Sequence, residues 1–323
     1  MSSAHDTGLR VDVAPAVDAT VREEVRALID AAEAHDTFAP LSDHVLLGLE
    51  GPLSPRAVSL LARLGETGRL AGYAAMEQHA GVWTIEAVVH PTMRRDPADV
   101  EGALLDAALG EAAARGGAVH VWLRHSHDAG ADAMAARGLR PVRELLQLRA
   151  PLAPDAARDA GTPPLPVRPF RPGRDEAAWL EVNARAFAGH PEQGSWTLAD
   201  VERREREPWF DPGGFLLHEI GSRIAAFCWT KVHRNPVLGE IYVIGVDPDF
   251  QGRGLGRAMT RAGLGHLATR TVPTAMLYVE STNTAALVLY RSLGFTEHHK
   301  EVLYADAATT PPQVDAPTAR PIP

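Results

Sequence analysis

Two stretches of this sequence run in parallel, and that parallel constrains the fold more than composition does. Residues 246–259 read VDPDFQGRGLGRAM, and residues 89–104 read VHPTMRRDPADVEGAL. Val246-Asp247-Pro248 answers Val89-His90-Pro91, and Gly294 answers Gly138. The flanks keep step. In the second half GGFLLHEIGSRIAAFCWTKVH predicts two strands about a turn at Gly221-Ser222, and GEIYVIGVDP a third. GRAMTRAGLGHLATR predicts an amphipathic helix with Met259, Leu264 and Leu267 on one face. TAMLYVEST, NTAALVLYRSL and EHHKEVLYA then predict strand, helix and strand. The first half answers in the same order with RLAGYAAMEQ, VWTIEAVVHP, VEGALLDAALGEAAAR, AVHVWLRHS, ADAMAAR and RELLQLRA.

A repeat this long is duplication of a whole domain, not a solenoid unit. Antiparallel-looking neighbours and strand–helix–strand crossovers occur in each half, so the expected class is α/β, with an α+β mixed sheet in each of two tandem domains. At 323 residues the chain has room for both. Residues 151–167, PLAPDAARDAGTPPLPV, are rich in Ala and Pro and lack periodicity. The expected division is a degenerate domain over 1–150, a linker over 151–167, a catalytic domain over 168–305 and a disordered tail over 306–323.

Composition narrows the function classes. The formal net charge is −9 and no Lys/Arg block offsets it, which argues against nucleic acid. One cysteine, Cys228, rules out an intrachain disulfide and a multi-cysteine zinc site; within AAFCWT it reads as a buried thiol. The histidines at 125–127 and 297–299 lack metal-site spacing, so no metal is expected. The stretch MSSAHDTGLR has no apolar core and no run reaches the ~18 residues of a membrane span. A cytoplasmic, monomeric protein is the expectation.

The loop QGRGLGR lies between a strand and a helix. Gly252, Gly254 and Gly256 allow several backbone N–H groups to converge on one point. The helix start adds its own unpaired amides and positive dipole end, and Arg253 and Arg257 add charge. The sum is a pyrophosphate cradle. The Gly-Lys-Ser/Thr of a Walker A loop is absent, and the glycine spacing does not fit the dinucleotide fingerprint.

Gln251-Gly252-Arg253-Gly254-Leu255-Gly256 resembles the Q/R-x-x-G-x-G/A signature of the GCN5-related N-acetyltransferases, the GNAT family. STNTAALVLYRSLGF is similar to a second motif of that family, and together the likeness covers most of 168–305. It implies a tandem GNAT fold using acetyl-coenzyme A (acetyl-CoA), with residues 251–257, Gln251 through Leu255 to Arg257, holding the pyrophosphate. It further implies that the backbone of Ile244, Gly245 and Val246 pairs with the pantetheine arm. Asn283 and the helix start Thr284, Ala285, Ala286, Leu287 and Val288 also contact the cofactor, and Tyr290 stands beside the sulfur. The stretches HPEQGSWTL, TKVH, GEIYVIGVDP and LYVESTNTAA are similar to one branch. There the acceptor is a small aminoacyl-sugar, the cysteinyl amine of a cysteinyl-glucosaminyl-inositol. Another small amine, a protein N-terminus, or a non-catalytic acyl-CoA sensor are the alternatives.

Amide formation needs a neutral amine, hence a base, and the departing thiolate needs a proton. Glu240 opens the strand EIYVIGV and is the base candidate. Period-2 alternation puts Glu240, Tyr242, Ile244 and Val246 on one face unless a bulge intervenes. Tyr290 is the acid candidate. A polyol bearing one cation suits Glu192, Lys231, Tyr278 and Glu240 as substrate contacts, and the resemblance adds Asp43 from the first half by its position against the family.

The first half lacks these parts. Aligned on the prolines, Arg94 answers Gln251, Arg95 answers Gly252, Pro97 answers Gly254 and Asp99 answers Gly256. Pro97 removes an amide donor, and Asp96 and Asp99 place negative charge where phosphates would sit. Met134 replaces Tyr290, and Thr84 or Ile85 lies nearest the Glu240 position. The first half is expected to be structural, with only the strand backbone at Ala87, Val88 and Val89 left as a weak pantetheine edge.

Overall fold

A computed structural model describes residues 8–306 except 15–16, 51–55, 66–67, 95–98, 125–127, 153–163, 189–192 and 235. Most of the expected linker and tail, with Arg95, Asp96, Pro97 and the histidines at 125–127, therefore lies outside the described residues. The chain forms two units, the first built from residues up to Glu144 together with a segment from Lys300, the second from Leu145–His299.

In chain order the first unit contains β1 (Arg10–Ala14), α1 (Ala19–Asp36), α2 (Asp43–Glu50), β2 (Ala57–Leu64), β3 (Arg69–His79), β4 (Val82–Val89), α3 (Val100–Arg115), β5 (Ala118–Leu123) and α4 (Asp128–Ala136). Then β6 (Arg140–Pro151) leads toward the second unit. β1 to β4 pair antiparallel in sequence order, and β4 pairs parallel with β5 across the α3 crossover. Alternation in the strands gives the sheet two apolar faces. One packs on α3 through Ile85, Val121, Leu104 and Ala108; the other packs on α1 through Tyr73, Val88, Val25 and Leu28. The Asp18 carboxylate accepts from the Val21 amide at 2.9 Å and starts α1.

The second unit repeats the plan with β7 (Arg168–Pro169), α5 (Glu176–Ala186), α6 (Leu198–Glu205), β8 (Phe215–Ile220), β9 (Arg223–Arg234), β10 (Val237–Val246), α7 (Leu255–Thr269), β11 (Thr274–Glu280), α8 (Thr284–Ser292) and β12 (Thr296–Ala305). The crossover helix α7 packs on one face with Ile241, Cys228, Met259 and Leu277. The opposite face carries an aromatic core of Trp179, Phe215, Phe227 and Trp229 beneath α5. Each unit is thus a mixed sheet between helical layers, as expected for the class.

Each unit closes its sheet with residues from the other half of the sequence. Residues of β6 pair with β11, from Leu145↔Glu280 to Pro151↔Thr274, inside the second unit. The end of β12 pairs with β5, from Val302↔Leu123 to Ala305↔His120, inside the first. The arriving segment also brings Glu301 to Arg124, whose Nη1 donates to Glu301 Oε2 at 2.5 Å. The Arg124 Nη2 donates to Glu86 Oε2 at 3.2 Å, and the Ser42 hydroxyl and amide donate to the same Glu86 carboxylate. All three charged groups are buried.

Candidate active site

The second unit builds its site on β10. The strand starts in an ordinary ladder: Glu240 stands across from Lys231 on β9 and Met276 on β11. Alternation from there fails, because the β9–β10 register slips between Ile241 and Val243. An extra residue, Tyr242, is accommodated as a bulge, which turns every later side chain to the other face. Val243 packs in the aromatic core with Tyr242 against it. A Cβ on Gly245 would strike the Phe227 ring at 2.6 Å, so Gly245 faces the same side. Ile244 and Val246 instead join the α7 side. The expectation that Glu240, Tyr242, Ile244 and Val246 share a face is corrected accordingly: Glu240 and Tyr242 share one, Ile244 and Val246 hold the other.

The slip also parts the strands. Only Gly239, Glu240 and Ile241 pair with β11, although β10 continues to Val246. The stretch 242–246 therefore runs beyond the ladder with its β11-side backbone edge unpaired by that strand. This is the edge at which Ile244, Gly245 and Val246 were expected to meet an extended arm.

Three substrate candidates share the aromatic face. Lys231 lies directly across from Glu240, and Tyr278 lies two residues beyond Met276 on β11. The Lys231 ammonium sits 4.7 Å from the Trp209 ring centre and 5.3 Å from that of Tyr242. The Tyr278 hydroxyl accepts from Gln147 Nε2 at 2.8 Å, and Arg149 Nε donates to Gln147 Oε1 at 2.8 Å. Glu240 is buried, and its Oε2 accepts from His233 Nε2 at 2.7 Å. Glu192 lies outside the described residues. Asp43 belongs to the first unit, at the first position of α2; the cap there is Ser42, whose hydroxyl accepts from the Val45 amide.

His233, Trp209 and Tyr242 were not singled out as site residues from sequence. A signal for His233 existed, since period-2 alternation from Lys231 through TKVH puts it on the same face. No local pattern in "PWF" announced that Trp209 would stand under Lys231.

At the other end of β10 lies the loop. Gly252 and Gly254 adopt left-handed backbone angles, φ 76° and 75°, and a Cβ on either would meet open space. Gly254 caps α7, and no side chain bonds to the helix start. The first amides of α7 and its positive end thus point out uncovered by a side-chain cap, an arrangement that suits a pyrophosphate. Gln251 Nε2 reaches back to the Val246 carbonyl at 3.4 Å, and Arg253 lies over the Phe250 ring. Arg257 Nη2 donates to Ser292 Oγ at 2.8 Å, tying α7 to α8. Asn283 caps α8 by accepting from the Ala286 amide at 3.1 Å, which leaves its amide group able to donate. Thr284, Ala285 and Val288 are exposed on α8, and Leu287 is buried.

Tyr290 is buried in the α7-side core, with Phe295 5.9 Å away. Burial, with a smaller push from Cys228, raises its phenol above the ordinary tyrosine value. Cys228 is fully buried, and burial likewise drives its thiol up. Neither ionises near neutral pH, so Cys228 cannot serve as a thiolate nucleophile.

The first unit places different groups at each of these points. Thr84 stands across from Glu77 as Glu240 stands across from Lys231, so of the two expected equivalents Thr84 is the one. β4 has no register slip, and it pairs with β5 from Val82 to Glu86, leaving only 87–89 beyond the ladder. Met134 is buried. Arg94 Nε reaches the Val89 carbonyl, as Gln251 reaches Val246, and its guanidinium is clasped by Asp36 through two 2.6 Å bonds. Asp99 caps α3 at φ 44°, its carboxylate accepting from the Gly102 amide at 3.1 Å. Its position is corrected: Asp99 matches Gly254, the residue before the helix, and not Gly256. The loop is longer by two, since Asp99 lies eight residues after Pro91 and Gly254 six after Pro248.

Known proteins resemble this chain over most of its length. Residues 178–295 match the Acetyltransferase (GNAT) family. A mycothiol acetyltransferase of Thermomonospora curvata is 47% identical over 87% of this chain and 92% of its own length. One from Streptomyces bingchenggensis is 44% identical over 91% of this chain and 96% of its own. Among solved structures, a tandem GNAT protein from the clavulanic acid biosynthesis pathway superposes with TM-score 0.70 at 17% identity, covering 92% of this chain and 98% of that one. A GCN5-related N-acetyltransferase from Sphaerobacter thermophilus gives 0.67 at 23% identity, over 94% and 98%. At those identities the structures speak to the fold.

Proposed function

This chain belongs to the mycothiol acetyltransferase family, and from that membership we propose that it transfers acetyl from acetyl-CoA to the cysteinyl amine of cysteinyl-glucosaminyl-inositol, completing mycothiol. The observation that carries the mechanism is β10 itself. One end holds a buried carboxylate, Glu240, and the other opens into a glycine-lined helix start. The cradle fits a pyrophosphate because Gly252 and Gly254 leave open space and α7 has no side-chain cap. Bound there, acetyl-CoA supplies the acetyl group as a thioester.

The residues of this chain then divide the work. Glu240 takes one proton from the acceptor ammonium, so that the neutral amine can attack the acetyl carbon; as the carbon–sulfur bond breaks, the surplus proton on nitrogen passes to the departing thiolate, leaving amide and free thiol. The unladdered backbone of Ile244, Gly245 and Val246 orients the thioester arm, and residues 251–257 and 283–288 hold the rest. Lys231, Glu192 and Tyr278 contact the acceptor's hydroxyls. Tyr290 donates a hydrogen bond toward the departing sulfur. Its raised phenol remains protonated at neutral pH, and complete transfer to a thiolate whose own pKa is near ~8.5 would be uphill. Attack is direct, because the buried Cys228 cannot carry an acyl group. Among the described residues no helix is long and apolar enough to cross a membrane, and no three His, Cys, Asp or Glu side chains are grouped to hold a metal. The proposed enzyme is a cytoplasmic monomer.

Release of free coenzyme A with a panel of amines tests the proposal. The cysteinyl aminosugar should give the highest kcat/KM, above an aminoglycoside and a peptide N-terminus. A higher value for either competitor would replace the acceptor, and acetyl-CoA binding without release on any amine would replace the enzyme with a sensor. Loss of mycothiol in a deletion strain is the corresponding expectation in cells.

A further inference from the structure

The buried carboxylate has a partner that the mechanism above does not use. His233 Nε2 lies 2.7 Å from Glu240 Oε2, with the two side chains 17% and 8% exposed. A carboxylate only accepts, so Nε2 carries the hydrogen. The contact is diagonal. Across the β9–β10 ladder His233 faces Leu238, and the residue directly opposite Glu240 is Lys231. Among the described residues, other charged or titratable groups on this face include Tyr242 on β10, Arg149 on β6, and Tyr278 and Glu280 on β11. The last torsion of a glutamate is broad and weakly held. Left alone, the carboxylate would rotate about that torsion, and neither oxygen would be fixed toward the acceptor amine.

We infer that His233 is a positioning residue that clamps Glu240 Oε2 and so leaves Oε1 to receive the proton of the acceptor amine. The Lys231 ammonium lies over the Trp209 and Tyr242 rings. The inference rests on the reading of Glu240 as the base.

A mutant cycle on the full chain separates the two. His233→Ala should lower kcat by about ten- to a hundredfold, the upper figure being the loss that a misplaced group can bring, with KM for acetyl-CoA within about twofold. His233→Gln keeps an N–H donor near the same place and should recover most of that loss. In a Glu240→Ala background, His233→Ala should change the residual rate less than about twofold, because groups acting as one unit are not additive. Wild-type kcat in His233→Ala, an equal loss in the Glu240→Ala background, or a Gln variant no better than Ala would each overturn the inference. Wild-type turnover in Glu240→Ala alone would instead remove the base assignment.

Discussion

Gly254 and Asp99 stand at the same place, just before the crossover helix of each unit, and the two units use that place in opposite ways. Gly254 leaves the start of α7 without a side-chain cap, while Asp99 fills the start of α3 with its own carboxylate. The first unit has closed upon itself the amides that the second offers to a ligand. The contrast continues along the sheet. Phe215 stacks on Trp229 at 4.3 Å in the second unit, whereas the paired positions in the first are Ser59 and Ala75, beside a cavity lined by Val45, Leu49, Tyr73, Thr84 and Glu86. A duplicated fold can keep its core while its loops diverge, because apolar periodicity and loop chemistry reside in different residues.

The sharpest way to break the contrast is at the base. Glu240→Ala should lower kcat ~10²–10⁴-fold, the range covered by loss of general-base catalysis, with acetyl-CoA affinity nearly unchanged; Thr84→Ala should leave both as they are. Steady-state rates and calorimetric titration of the full chain read this directly, and a comparable loss at Thr84 would mean that both units work. A second large effect concerns stability. Arg124→Ala leaves the Glu86 and Glu301 carboxylates buried without their common counterion, and should destabilise the first unit by about 3–5 kcal/mol in urea unfolding.

A milder exchange writes the first unit's cap into the second. Gly254→Asp should raise the acetyl-CoA dissociation constant about tenfold or more, since a carboxylate would compete with the pyrophosphate for the helix start. An unchanged constant would detach the cradle from the cofactor. The smallest expected effect is on pH dependence. Burial, then the neighbouring Glu176, pushes the Glu205 carboxyl on α6 up to about 7. Its folded value lies above its unfolded one, so its stabilising contribution is whole below about pH 4.5 and is lost as pH rises through 7. Glu205→Gln should raise the Tm slightly at pH 8 and leave it unchanged at pH 4.5.

The duplication, the element order and the loop chemistry were legible because each repeats a local pattern: apolar spacing, glycine runs, a helix beginning. Glu240, Lys231 and Tyr278 could be named from their strands, and register brings them to one face. The bulge at Tyr242 was not legible, since one extra residue leaves no mark in a run that is apolar on both sides of it. Nor was Asp99 at the helix cap, because aligning two loops on their prolines ignores a difference in length. Trp209 and His233 meet Lys231 and Glu240 through tertiary packing and a diagonal pair, which spacing along one strand encodes only for His233.

The exchanged strands set a timetable for synthesis. The first unit's β5 edge has to wait for residues 302–305, near the far end of the described chain, before its ladder is complete. From Glu144 that is about 160 residues further on, or roughly 8–30 s at ordinary ribosomal speeds. For that interval a bare strand edge, a template for pairing with another chain, stands beside a growing polypeptide. The second unit has β6 already made when β11 emerges. The unit proposed to catalyse thus finds its last strand waiting, and the unit proposed to have lost its chemistry is the one finished last.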